Sequence, residues 1–172
     1  MKRQSGTSKD ASQESKKADW FTGAGNPISF EEIINIVKTH SDRNGIVYVG
    51  SDSFVEKDDC IFSTAICLWK GDSQSGGRYF IKRNRLDNKQ YTTLMQRITS
   101  EVQKSIDVGL KILSYCPQVK IELHLDISES DKNTKTSKFA DMLVGYAKGI
   151  GFDCKIKPQA FAASSVADKH SK

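Results

Sequence analysis

The sequence predicts an α/β fold in which a mixed five-stranded sheet carries helices on both faces. Three strand patterns, rich in β-branched and aromatic residues, follow one another with short polar links between residues 45 and 83. Such a series is typical of an antiparallel meander. Two further strand patterns each come after a helical pattern, and right-handed crossovers of this kind place the fourth strand beside the first, parallel to it. The predicted order is helix, three strands, helix, strand, helix, strand, helix.

The composition limits the class of protein. Charged residues make up 27% of the 172 residues and hydrophobic ones 37%, which suits one soluble domain with a polar tail. No apolar run approaches the roughly 20 residues of a membrane span, and no hydrophobic segment follows the N-terminal charges. We therefore expect a cytoplasmic protein that does not contact a membrane. The net charge of +5 is compatible with a polyanionic partner.

The cysteines are predicted to be reduced thiols. None of the four belongs to a Cys-x-x-Cys pair, so the pattern indicates neither a zinc site nor a disulfide framework. They lie on apolar stretches or at their ends, at Cys60, Cys67, Cys116 and Cys154.

The N-terminal residues 1–25 are predicted to be a disordered polar tail, and residues 26–172 to be the folded domain. Almost nothing apolar precedes Trp20, so this segment cannot bury enough surface to offset the entropy of ordering it. The first helix is predicted to begin at Ser29, which forms a capping box with Glu32. It is predicted to end near His40. Its apolar residues recur at helical spacing at positions 30, 33, 34 and 37.

Residues 45–54 predict the strand around which the sheet is organised. Side chains alternate along a strand, so Tyr48, Gly50 and Asp52 share one face. A carboxylate there is unusual, because burying an unpaired charge is costly. Gly50 leaves room for another backbone or a ligand to approach. Taken alone, this stretch favours a strand that simply ends at a polar turn, with Asp52 in solvent, and Asp52 indicates a site only if acids later in the chain reach it. Residues 60–69 and 77–83 predict the next two strands, joined by a hairpin loop at 71–77.

The second half of the chain predicts helices over 91–115, from about residue 137 to Gly149 or Gly151, and over 162–170, with strands over 119–127 and 152–157. Glu101 lies beside the apolar stripe of the first of these helices, either at a solvated boundary or aimed at the sheet. His124 and Asp126 share one face of the strand with Glu122, which indicates either an exposed edge or a polar site. The loop at 128–136 is polar. Asp168 lies near the end of the last helix.

The predicted topology brings acidic residues from four elements together. Sites in α/β folds form where the ends of adjacent parallel strands meet at a switch in strand order, and Asp52 and Asp126 meet there. Glu101 and Asp168 approach from helices. Four carboxylates repel one another unless cations are present, and oxygen ligands suit Mg²⁺ or Mn²⁺. Two such ions about 4 Å apart can activate water and stabilise a leaving oxygen in phosphodiester cleavage.

Several segments also resemble the YkuK family of ribonuclease H-like nucleases. They are residues 50–53, 100–105, 124–127, 145–152, 155–158 and, most specifically, 162–170 (Ala-Ala-Ser-Ser-Val-Ala-Asp-Lys-His). The resemblance covers the chain from Phe30 onwards. It implies a ribonuclease H-like fold and a metal-dependent nuclease acting on RNA, DNA or a hybrid. Asp52, Glu101, Asp126 and Asp168 would then be the catalytic residues and metal ligands. Ser51 and Phe54 stand where the family commonly has Thr and Gln, and Phe54 bears on substrate choice.

Other residues are candidates for supporting roles. Ser53 and His124 are predicted to support the ligands, with a strand histidine satisfied by a neighbour as the alternative for His124. Two other functions remain open: a non-catalytic nucleic-acid-binding or assembly module, and a nucleotidyl or Holliday-junction-type activity on the same scaffold. The candidates for contact with the nucleic-acid backbone, otherwise ordinary surface charges, are Arg83, Arg85, Lys155, Lys157, Lys169 and His170.

Overall fold

The computed structural model describes residues 19–69, 77–129 and 133–172. Its strands are β1 (Trp20–Thr22), β2 (Pro27–Ile28), β3 (Ile46–Glu56), β4 (Asp59–Trp69), β5 (Arg78–Asp87), β6 (Lys120–Leu125) and β7 (Asp153–Lys155). Its α-helices are α1 (Phe30–Ser41), α2 (Leu94–Tyr115), α3 (Ala140–Ile150) and α4 (Asp168–Ser171). A π-helical turn, Ala162–Ala167, leads into α4, and we call residues 162–171 the C-terminal segment.

The strands form one mixed sheet in the order β2-β1-β5-β4-β3-β6-β7. Strands β3, β4 and β5 are the predicted antiparallel meander. Strand β6 lies parallel to β3 and β7 parallel to β6, as the crossover argument predicts. The sheet has seven strands and not the predicted five, because β1 and β2 extend it beyond β5.

The two additional strands come from a segment whose sequence carries little strand signal. Residues 20–22 lie within the range predicted to be a disordered tail, yet they pair with β5, and the Trp20 side chain is only 4% exposed. The Trp20 ring packs against Phe30, with 6.1 Å between centroids. The ordered domain therefore includes Trp20. Three segments lie outside the described residues: 1–18 of the predicted tail, 70–76, which include most of the predicted hairpin loop at 71–77, and 130–132 of the loop at 128–136.

Local hydrogen bonds explain where the helices begin and end. The predicted capping box of α1 is confirmed: the Glu32 N–H donates to Ser29 Oγ (3.2 Å) and the Ser29 N–H to Glu32 Oε2 (2.8 Å). Helix α2 begins at Leu94 and not at Tyr91, because Thr93 and Gln96 form a second capping box. Helix α3 ends at Ile150 and is capped by Gly151, which has a left-handed φ of 107°.

The two faces of the sheet are packed differently. Helices α1, α2 and α3 cover one face, where they share a large apolar core with strand residues such as Val49 and Leu123. The C-terminal segment covers the other face through a small cluster that includes Tyr48 and Ala162. Gly50 makes this second contact close: a Cβ added there would lie 2.6 Å from the Ala163 nitrogen. This confirms that Gly50 leaves room for another backbone.

Within the described part of the chain, no helix is long and apolar enough to cross a membrane. All four cysteines are free thiols, and Cys154 is the only one of them that is not fully buried.

Candidate active site

The candidate site lies where β3 runs on beyond its parallel neighbour. The last residue pair between the two strands is Ser51 with Leu125, and β6 ends there, whereas β3 continues to Glu56. Asp52 follows Ser51 on β3, and Asp126 follows Leu125 just beyond the end of β6. We call the gap beside β3 that begins at these two residues the notch. Because β3 has no partner on this side of the notch, side chains from both faces of the sheet can reach it.

Asp52 lies on the face covered by the C-terminal segment. Its side chain is buried, with 8% of the residue exposed, and the Ser171 hydroxyl donates a hydrogen bond to its Oδ2 atom at 2.7 Å. Burial raises the pKa of Asp52 to about 6. The charges of Asp126 and Asp168 act in the same direction, while the hydrogen bond from Ser171 opposes them. The ionised form of Asp52 is therefore destabilised in the protein alone.

Glu101 reaches the notch from the opposite face, on α2. The Ser53 hydroxyl donates to its Oε1 atom at 2.6 Å, and Ser53 points away from Asp52 because neighbouring residues of a strand alternate. Burial raises the pKa of Glu101 to about 8. The hydrogen bond from Ser53 lowers this pKa, and the charges of Asp52 and Asp126 raise it. Both carboxyls thus sense Asp126 across the notch.

Asp126 has a cation beside it, and its Oδ1 atom accepts no hydrogen bond from the described part of the chain. The Lys157 Nζ atom lies 2.9 Å from Asp126 Oδ1, and the angles of this approach do not make a hydrogen bond. That oxygen is buried and has no hydrogen-bond partner among the residues described. Buried carboxylate oxygens are normally satisfied, so this one is a candidate ligand atom.

Asp168 joins the group from the start of α4. Its Oδ1 atom lies 2.7 Å from Lys172 Nζ, with which it forms an ion pair, and the Asp168 side chain is 39% exposed. The hydrogen bond and charge of Asp168 raise the pKa of Lys172, and the charges of Asp52 and Asp126 add to this. The Lys172 ammonium therefore lies in the field of three of the four acids.

The four acids match a hard divalent cation in chemistry but do not enclose one. All their donor atoms are oxygens, and a cation would lower the raised pKa values of Asp52 and Glu101 and could coordinate the Asp126 oxygen that accepts no hydrogen bond from the residues described. In the present arrangement, however, no three described His, Cys, Asp and Glu side chains form a group that could hold a metal ion. Each acid instead has a partner from the protein: Ser171, Ser53, Lys157 or Lys172.

His124 holds the C-terminal segment against the sheet. Its Nδ1 atom accepts a hydrogen bond from the Ala162 N–H at 3.1 Å, so the proton of the neutral ring lies on Nε2, which donates to Glu122 Oε1 at 3.1 Å. The ring is 1% exposed, and burial lowers its pKa. The ring packs at a tilt against Tyr48 (4.8 Å between centroids) and edge-to-face with Phe161 (4.6 Å). Both ring nitrogens are engaged away from Asp126.

The remaining predicted cations differ in their availability. Lys155 and Lys169 are exposed, as is Arg83, which pairs in register with Ser63 on the face that carries Asp52. His170 is half-buried, with Nε2 3.4 Å from the Tyr79 hydroxyl. Arg85 is occupied at the far end of the β3–β4 hairpin, where it forms ion pairs with Asp59 (2.6 Å) and Glu56 (3.7 Å).

Two residues of the site were missed in the sequence: Ser171 and Lys172. Both follow Asp168 at helical spacing, the lysine at i+4, which is the distance at which an acid and a base on one helix meet. That spacing was a usable signal for Lys172. Ser171 carried no such signal, because its bond to Asp52 depends on how the segment docks.

No curated protein and no solved structure gives a significant match to this chain. A family model described as ribonuclease H-like matches residues 29–172, which includes all four acids and the whole meander. This match confirms the resemblance drawn from the motifs. The chain therefore belongs to the ribonuclease H-like family.

Proposed function

We propose that this protein is a divalent-metal-dependent nuclease that hydrolyses phosphodiester bonds of nucleic acid. The observation that carries the proposal is the state of Asp52: a buried carboxyl whose pKa is raised by burial and by two further acids, Asp126 and Asp168, from separate elements. A carboxyl group in such a position is typical of functional sites. Family membership supports the same reaction class.

The proposed roles follow from the position of each acid. Asp52 and Asp126, at the corner of the notch, would share the cations, and Glu101 and Asp168 would hold them from the two sides. When bound, two Mg²⁺ or Mn²⁺ ions would activate water and stabilise the leaving oxygen. Ser53 and Ser171 orient Glu101 and Asp52 by donating hydrogen bonds to them.

The substrate proposed is RNA, DNA or a hybrid of the two. The net charge of +5 favours a polyanion, and the exposed cations Arg83, Lys155 and Lys169 would contact its phosphates. Contacts with phosphates carry no sequence preference. Because they release the counter-ions of the nucleic acid, binding should weaken as the salt concentration rises.

The test is cleavage of single- and double-stranded RNA, DNA and hybrid by the full chain with Mg²⁺ or Mn²⁺. Asp52→Asn and Asp126→Asn each remove one ligand charge with almost no change in shape. The rate should fall by more than the roughly 10- to 100-fold that the loss of an outer hydrogen-bond partner costs at metal sites. Asp153→Asn is the matched control, because Asp153 is an exposed acid on β7. Full activity of Asp52→Asn would remove Asp52 from the site.

A second candidate function is a non-catalytic nucleic-acid-binding module. The observation that favours it is that every acid of the site already has a partner within the protein, with no group arranged for a metal among the described residues. Such a module should bind nucleic acid equally well with a chelator present and cleave none of these substrates.

A further inference from the structure

The acid cluster has two cations of its own, the ammonium groups of Lys157 and Lys172. Lys157 Nζ lies 2.9 Å from Asp126 Oδ1, and Lys172 Nζ lies 2.7 Å from Asp168 Oδ1. They come from different parts of the chain: one follows β7 and the other follows α4. The two contacts therefore arise independently, and both end on acids proposed as metal ligands.

Lys157 is the better anchored of the two. Its backbone N–H donates to the Ile127 carbonyl at 2.9 Å, next to Asp126 in the chain, so the two side chains start from backbones that are already fixed together. The Asp126 side chain is 18% exposed and the Lys157 side chain 43%. An ion pair in this partly enclosed position is screened less by solvent than one on the open surface.

Lys172 is weaker but more central. Its side chain is 60% exposed, so its pair with Asp168 contributes little to stability. Its ammonium nevertheless lies in the field of Asp52 and Asp126 as well. A divalent cation shared by these acids would meet the repulsion of both lysines.

We propose, on the basis of the proposed function, that Lys157 and Lys172 are internal counter-ions of the acid cluster, and that a divalent cation binds only by displacing them. The arrangement described here is then the cation-free form, in which hydroxyl and ammonium groups take the place of metal. This accounts for four acids that converge on the notch without enclosing an ion. Once displaced, each ammonium is available to a phosphate of the substrate.

The direct test is calorimetric titration of Mn²⁺ into the chelator-treated full chain at low ionic strength. Lys157→Gln should tighten Mn²⁺ binding by about five- to tenfold, the lower range of typical coupling between sites. Lys172→Gln should give a smaller gain. Lys157→Arg, which keeps the charge, should give none. Lys120→Gln is the control, because it removes the same net charge from an exposed lysine. Lys120 begins β6, at the end of the strand away from Asp126.

Thermal unfolding supplies a second measurement. Without metal, Lys157→Gln should melt at a lower temperature than the parent, because Asp126 loses its counter-ion. With saturating Mn²⁺ its melting temperature should rise by more than that of the parent.

Equal Mn²⁺ affinity in the parent and both glutamine variants would overturn the proposal, as would an equal gain in Lys120→Gln or an absence of Mn²⁺ binding in every variant. Cleavage is measured separately. If no variant cleaves nucleic acid but Lys157→Gln still tightens Mn²⁺ binding, the counter-ion proposal stands and the nuclease proposal fails.

Discussion

The two faces of the sheet serve different purposes. On one face, α1, α2 and α3 bury long aliphatic side chains such as Ile106 and Ile112 completely. On the other, the C-terminal segment is held by small residues, by the His124 ring and by close contact at Gly50. Apolar area buried on the first face provides most of the stability. The second face holds Asp52, which accepts a hydrogen bond from Ser171, and Asp168, which forms an ion pair with Lys172.

This difference predicts that stability and site integrity can be changed separately. Changes to the apolar core on the helical face should destabilise the whole domain. Changes on the other face should release the C-terminal segment while the sheet and the three helices remain. Because ionising a buried acid costs free energy, the free energy of unfolding should depend on pH.

The largest effect is expected at Trp20, which belongs to the core of the helical face. Trp20→Ala should lower the free energy of unfolding by about 3–5 kcal/mol, because it leaves a cavity beside Phe30 and weakens the pairing of β1 with β5. Urea denaturation measures this. Deletion of residues 1–18, which are polar in composition, is the control and should leave the midpoint unchanged. An unchanged midpoint in Trp20→Ala would show that β1 is dispensable.

A smaller effect is expected from Glu101, and its sign depends on pH. Its pKa is raised from 4.5 to about 8, so the folded state loses stability as pH rises from below 4.5 through 8. Glu101→Gln does not ionise and should avoid this loss. Without metal it should match the parent near pH 4.5 and be more stable at pH 8.5, by on the order of 3 kcal/mol.

Denaturation of chelator-treated protein at the two pH values measures the effect of Glu101→Gln. The control is Glu56→Gln, because Glu56 is exposed on the β3–β4 hairpin. If the free energies of unfolding of the parent and Glu101→Gln changed equally between the two pH values, Glu101 would ionise as an exposed carboxyl does.

The smallest effect on stability is expected at Gly50, but it should be local. In Gly50→Ala the new Cβ would meet the Ala163 nitrogen at 2.6 Å, and overpacking of this kind costs about 1–3 kcal/mol. Hydrogen exchange should accelerate at residues 162–171 and little elsewhere. Gly145→Ala is the control, because a Cβ there meets nothing within 4 Å, and it should stabilise α3 by about 0.5–1 kcal/mol. Uniform acceleration across the domain would contradict separate behaviour of the two faces.

Local patterns were sufficient for most of the fold. The capping box at Ser29, the apolar stripe of α2 and the alternation in β3 each depend on residues near one another in sequence. Strands β1 and β2 could not be predicted in this way. Their stability comes from pairing with β5 and from burial of Trp20, and both are distant contacts.

In the candidate site, too, local patterns placed some residues, whereas others depend on contacts between distant parts of the chain. Alternation alone placed Gly50 and Asp52 on one face, and the crossover rule placed Asp126 at the end of the neighbouring strand. The partners of the acids could not be read from the sequence. Ser171 is separated from Asp52 by 119 positions and meets it only after the C-terminal segment docks.

The alternation in β3 also limits how the length of the chain can vary. Ser51 and Ser53 face α2, whereas Gly50 and Asp52 face the C-terminal segment. One residue inserted between Gly50 and Ser51 would turn the carboxyl towards α2 and leave the Ser51 hydroxyl in its place. Deletion of Ser51 would also turn the carboxyl towards α2. Insertions should be tolerated better at the turn between β3 and β4, residues 57–58, because a longer loop there leaves Gly50 and Asp52 on their present face.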